Sequence, residues 1–156
     1  MKLHFIFVGK TREPYLREGI EDFLDRLRRY VPLETRIVRS ERLTRSTEAD
    51  RVVAVESGRV ARAVPSDSHL VVLDRGGKQM TSEALALWWQ KLERKGCRKL
   101  CFVVGGVLGF SDDLRSQAQT LLSLSKMTFT HEMSRLILLE QLYRACTIMR
   151  GEKYHK

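Results

Sequence analysis

The 156-residue chain holds only three cysteines, Cys97, Cys101 and Cys146. They form an odd set without Cys-x-x-Cys spacing, which argues against a disulfide framework or a zinc ribbon and for reduced thiols in a cytoplasmic protein. No apolar run approaches the roughly 20 residues that a membrane span requires, and the opening Met1–Gly9 segment lacks the pattern of a cleaved leader. A membrane partner is therefore not expected. Histidine is also sparse: His4, His69, His131 and His155 show no metal-ligand spacing. His131-Glu132-Met133-Ser134-Arg135 starts like a zinc-protease helix, but the position four residues after His131 is Arg135 instead of a second histidine. No metal is expected. A Gly-x-Ser-x-Gly elbow is missing, as are internal repeats, low-complexity tracts and a linker, so one domain over 1–156 is expected.

Acidic residues are outnumbered, 19 against 28 Lys and Arg, for a formal net charge of +9. The excess is spread along the chain, which favours a polyanionic partner, with nucleic acid the first candidate. A basic soluble protein without such a partner has the same composition.

Strand-like and helix-like stretches alternate. Lys2–Val8 reads as a strand ended by Gly9, and Glu13–Tyr30 as a helix, with Ile20, Phe23, Leu24 and Leu27 at helical spacing. Leu33–Val38 alternates like a strand. Arg39–Arg45 is an arginine-rich connection expected to be mobile, and Thr47–Val64 a weakly amphipathic helix. His69–Leu73 is a buried strand followed by a loop, Asp74–Lys78. Thr81 or Ser82 caps a helix to about Lys95, whose adjacent Trp88 and Trp89 cannot both face inward. Leu100–Val104 is the next strand, and His131–Met149 the last helix, with Leu136, Leu139, Tyr143 and Cys146 on one face and Glu140 paired to Arg144. This alternation predicts an α/β fold: a mostly parallel sheet flanked by helices on both faces, with ligands bound beyond the carboxyl ends of its strands.

Three such ends stand out: Leu73–Asp74, Gly105-Gly106-x-x-Gly109, and Leu124–Phe129. Glycines at a strand end let backbone amides approach a ligand, although tight turns use glycine as freely. A phosphate-binding loop needs Lys and Ser or Thr after its last glycine. Here Phe110, Ser111, Asp112 and Asp113 follow, and the aspartates would repel a polyphosphate. A ligand of low negative charge fits better. Arg135, Arg144 and Arg150 recur on the last helix, and the tail Gly151–Lys156 carries Tyr154, His155 and two lysines. That tail suits stacking on a base and binding phosphate, or is simply solvated.

These motifs resemble a specific family. Leu73-Asp74 with Gly77-Lys78 and Ser82-Glu83, the Gly105–Gly109 loop, Ser123–Phe129 and Glu140–Ala145, over the whole length, are similar to the RlmH family of the knotted SPOUT methyltransferases. Those enzymes methylate N3 of a pseudouridine in 23S ribosomal RNA (rRNA) with S-adenosylmethionine (S-adenosyl-L-methionine). The resemblance implies a C-terminal trefoil knot and a cytoplasmic homodimer acting on 23S rRNA within the ribosome, its cofactor site near the subunit interface. It also implies cofactor contacts at Leu73, Gly105, Leu124, Ser125, Lys126, Met127, Thr128 and Phe129. His131, Arg135, Arg144, Tyr154 and His155 are then expected around the target base and its phosphates, with His131 and His155 as proton acceptors. Thr130-His131-Glu132 stands where many relatives carry Pro-His-Pro or Pro-His-Gln, which would leave the start of the last helix less fixed. Val107 and Leu108 replace a polar pair, a change of little weight if backbone amides make the contacts. A non-catalytic RNA or ribosome binder on the same sheet is the alternative from another class.

Overall fold

The computed structural model describes residues 1–154. Its elements run β1 Lys2–Val8, α1 Pro14–Arg28, β2 Leu33–Val38, α2 Ala49–Ala63, β3 His69–Lys78, α3 Ser82–Arg94, β4 Lys99–Val104, α4 Asp112–Gln117, β5 Thr120–Leu122 and α5 His131–Met149. The strands form one sheet in the order β2-β1-β4-β3-β5, with all four pairings parallel.

The two-residue side-chain period of a strand sorts β1 and β4 between two cores. Leu3, Phe5, Phe7, Leu100, Phe102 and Val104 pack with α1, α3 and α5 through Leu24, Leu27, Trp89, Leu138 and Leu142. Ile6, Val8, Cys101 and Val103 face the other way, onto Val60 of α2 and Leu114 of α4. Phe5 and Phe102 stack across the β1–β4 pair at 5.8 Å between centroids. Helices thus cover both faces, as the alternation predicts. Trp89 is buried and Trp88 half-buried, its ring edge-on to His69, so the pair divides as its adjacency requires.

One local expectation is corrected. β3 does not stop at Leu73: it resumes pairing at Lys78, and Leu122 is the register partner of both Leu73 and Lys78. The excursion from Asp74 to Gly77 therefore closes around the end of β5. The start of the Arg39–Arg45 connection is tied to α2. The Glu41 amide donates to Glu56 Oε2 at 3.0 Å, and Arg59 of α2 reaches both Glu41 (2.5 Å) and the Arg39 carbonyl (2.9 Å). The sequence pattern shows a run of polar residues there, but not the two side chains of α2 that tie it down.

The closure at Leu122 depends on Gly77. A Cβ there would stand 2.6 Å from the Leu121 carbonyl carbon and 2.8 Å from that of Leu122, both backbone atoms that cannot swing aside. Gly77→Ala is expected to lower stability by about 1–3 kcal/mol, the range for forced overpacking. Gly58→Ala, whose Cβ meets nothing closer than an Arg62 nitrogen at 3.8 Å within α2, should raise it by about 0.5–1 kcal/mol. Denaturant midpoints measure both; equal midpoints for the two variants would refute the closure.

Candidate active site

The carboxyl ends of β3, β4 and β5 bound a cleft of about 950 Å³. Its floor is apolar, from Leu73, Val104, Leu122 and Leu124, while its walls carry Glu13, Arg75, Asp74 paired to Arg115 at 3.0 Å, and Glu132 bound to the Arg12 and Glu13 amides. Gly105, Met127, Thr128 and Phe129 line it, together with Ser125. Lys126 does not: it is exposed and lies outside the lining.

Side-chain hydroxyls fix that loop. The Ser123 amide donates to the Lys78 carbonyl (3.0 Å), Ser123 Oγ to the Ser125 carbonyl (3.0 Å), and the Met127 amide to Ser125 Oγ (3.0 Å). Arg75 reaches across to Thr128 Oγ1 at 3.2 Å. The glycine loop is fixed from behind. A Cβ on Gly105 would meet the Phe110 ring at 3.1 Å, and one on Gly106 would meet Glu56 Oε1 at 3.0 Å. Gly109 has φ +74°, a conformation that side chains rarely adopt. Packing demands these glycines as well as any ligand does.

The first turn of α5 forms another wall. Thr130 Oγ1 accepts the Met133 amide (3.2 Å), a side-chain cap that fixes the helix start without proline, contrary to the looser start expected there. His131 is half-buried, lines the cleft and makes no hydrogen bond among the described residues. Burial, then the neighbouring Arg135 guanidinium, hold its pKa below the usual histidine value, against the opposing pull of Glu132. The ring is neutral at physiological pH and able to accept a proton.

Arg135 is fully buried and touches no solvent. It donates to the Val8 carbonyl at 2.6 Å and to Thr11 Oγ1 at 2.9 Å, and its guanidinium lies 5.0 Å from the Phe7 ring centre. Burial lowers its pKa to about 10, so it stays charged. The expectation that Arg135 surrounds a base is thus corrected: it braces the turn after β1. Glu132 braces the same turn, accepting the amides of Arg12 and Glu13. Glu132, Tyr15 and Leu16 were not legible as site residues, since the turn they join lies more than a hundred positions from α5.

Arg144 and Tyr154 sit at the other end of α5, about 20 Å from His131 at 1.5 Å of rise per residue. Glu140 accepts from Arg144 (2.5 Å) and from the Tyr154 hydroxyl (3.2 Å), and Arg144 lies 4.8 Å over the Tyr154 ring. Tyr154 is docked there, and one chain does not bring these two residues to its own cleft. His155 lies outside the described residues.

Residues 1–155 match the family described as "Predicted SPOUT methyltransferase". The chain belongs to the SPOUT methyltransferases. Relatives named "Ribosomal RNA large subunit methyltransferase H" include one from Geobacter metallireducens, 44% identical over 155 residues, 99% of each chain. Another, from Halothermothrix orenii, is 43% identical over 159 residues and the full length of both. Among solved structures, a "Probable Methyltransferase" from Bordetella pertussis aligns with TM-score 0.56 and 13% identity over 92% of this chain and 95% of its own. A Legionella pneumophila protein solved with bound SAM aligns with TM-score 0.53 and 13% identity, over 93% and 66%. At that identity the two structures speak for the SPOUT fold alone.

No helix among the described residues is long and apolar enough to cross a membrane, and no cluster of metal-binding side chains occurs among them. Cys101 and Cys146 are buried with pKa pushed up to about 12, which keeps both thiols protonated and unreactive in this SPOUT protein. Burial also lowers the pKa of His4, His69 and His131. The native state therefore binds fewer protons than the unfolded chain below about pH 6.5, and stability is lost as pH falls through that value. Glu56, raised by burial, acts in the opposite sense above its ordinary carboxylate range. The melting temperature is expected to fall between pH 7.5 and 5.5; a constant value over that interval would contradict the burial of these rings.

Proposed function

We propose that this protein transfers the methyl group of S-adenosylmethionine to N3 of a pseudouridine in 23S rRNA, acting on the assembled ribosome in the cytoplasm as a homodimer of single SPOUT domains. The observation that carries the reading is the cleft itself. Loops from three adjacent parallel strands enclose an apolar floor with a polar rim of both charge signs, which suits an adenosine. The relatives' shared name, over nearly all of each chain, supports rRNA as the substrate. A C-terminal trefoil knot is part of this reading.

Bound S-adenosylmethionine supplies an already activated methyl group. What remains for the protein is to hold the base in line with it and to favour loss of the N3 proton. Leu73, Gly105 and the Leu124–Phe129 loop hold the cofactor, with Lys126 at the edge of that loop. Neutral His131 accepts the N3 proton at an imidazole nitrogen. Arg144 and Tyr154 act on the cleft of a second copy, a role supported by their distance from their own. Exposed Val107, Met127 and Tyr15 around the cleft mouth offer apolar surface for that copy. His155, next in the tail, belongs to the same group.

Calorimetry with S-adenosylmethionine and no RNA should show binding; absence of heat would favour the non-catalytic binder. Mass spectrometry of 23S rRNA from cells lacking the protein should show one pseudouridine without its methyl group. For the dimer, Gly105→Val and Tyr154→Ala chains, each inactive alone, should recover activity when mixed and refolded, because a mixed dimer retains one intact site. No recovery would refute action across the interface.

A further inference from the structure

We infer that the turns following β1 and β2 form a phosphate-holding surface beside the cleft, in which Lys10, Arg12, Arg39, Arg42 and Arg45 grip the RNA backbone on the side away from β3. The inference rests on the proposed RNA substrate and names the surface that receives it. Neither a motif nor a relative's name points to these residues; the sheet does.

Register puts the three turns at one level. Phe7 pairs with Val104 and Val8 with Val38, so Gly9–Arg12, Arg39–Arg45 and Gly105–Gly109 all leave the sheet along the same edge. Neighbouring strands lie about 4.8 Å apart, which places the β1 turn one strand from the glycine loop and the β2 turn two. The cations are therefore contiguous with the cleft, whose wall they extend through Glu13 and Tyr15.

The turns are built to hold charge outward. The Gly9 amide donates to the Val38 carbonyl at 2.8 Å, Glu132 takes the amides of Arg12 and Glu13, and Arg59 and Glu56 pin the segment at Arg39 and Glu41. Thr44 and Thr47 close the far end of the arginine segment through their hydroxyls at 2.5 Å. The five side chains belong to exposed residues, and none pairs with a carboxylate among the described residues. The acids nearby are otherwise arranged: Glu41 is held by Arg59, Glu13 lines the cleft, Glu132 binds backbone, and Glu48 and Asp50 begin α2. A segment that anchors its own acid and leaves its arginines without a carboxylate partner is suited to bidentate phosphate contacts, which position a nucleic acid without reading its sequence.

The test uses Arg39→Gln/Arg42→Gln/Arg45→Gln and, separately, Lys10→Gln/Arg12→Gln, with intact ribosomal subunits as substrate. KM for the subunit is expected to rise at least tenfold in the triple variant near physiological salt, with kcat and the affinity for S-adenosylmethionine unchanged. The slope of log affinity against log salt should fall by about one for each phosphate that the variant no longer grips. The triple lysine variant should keep most of that slope. Unchanged KM and slope in both glutamine variants, with the wild type active, would overturn the inference. If the wild type methylates no RNA, the proposed function fails instead, and subunit binding with its salt slope still decides the surface: a steeper wild-type slope upholds it and equal slopes sink it.

Discussion

Arg135→Ala is expected to destabilise the protein by about 3–5 kcal/mol, read as a fall in the denaturant midpoint. The side chain is wholly buried, so truncation opens a cavity of the kind that costs about 2–5 kcal/mol. It also removes two donors from the Val8 carbonyl and Thr11, and charged hydrogen bonds are worth about 1.5–3 kcal/mol each. These effects overlap and do not simply add. Arg135→Met separates them, since methionine fills most of the space and carries no charge to bury. Exchanging a buried ion for an apolar group of similar volume is often close to neutral, so the methionine variant should unfold well above the alanine variant. With the guanidinium gone, the pKa of His131 should also climb towards its ordinary value, a shift that NMR titration of the ring would detect. An alanine variant as stable as the wild type would show that the turn after β1 does not depend on Arg135.

Gly105→Val is expected to weaken S-adenosylmethionine binding more than 100-fold, at least about 2.7 kcal/mol, while leaving the chain folded. The first added carbon already meets the Phe110 ring at 3.1 Å, and the two further methyl groups must go into the ring or into the cleft. Either displaces the loop that forms the cofactor wall. Gly105→Ala should fall between, because a ring can retreat by a few tenths of an ångström. Calorimetry gives the affinity and thermal unfolding the integrity of the fold. Wild-type affinity in the valine variant would remove the glycine loop from the site.

Much of this was legible in the residues themselves. The buried strand β4, the glycines at its end and the period of α1 and α3 follow from side-chain spacing, because a strand buried on both faces and a helix with one apolar stripe leave different periods. The pattern also marked Leu124–Phe129 as a strand end, after a strand β5 of only three residues, and the resemblance added what would bind there. What escaped was long-range. Arg135 and Arg144 look alike on a helical wheel, yet one meets the Val8 carbonyl inside and the other Glu140 outside. Only the packing of α5 against the end of β1 tells them apart. Glu56 likewise reads as one more polar residue of α2, until the fold sets it behind Gly106.

Because Leu122 is the register partner of both Leu73 and Lys78, the edge of the sheet is complete only when residues about fifty positions apart in the chain have met. Contacts of such long separation close late in folding, so β5 is expected to be among the last strands protected from hydrogen exchange during refolding, after β1 and β4.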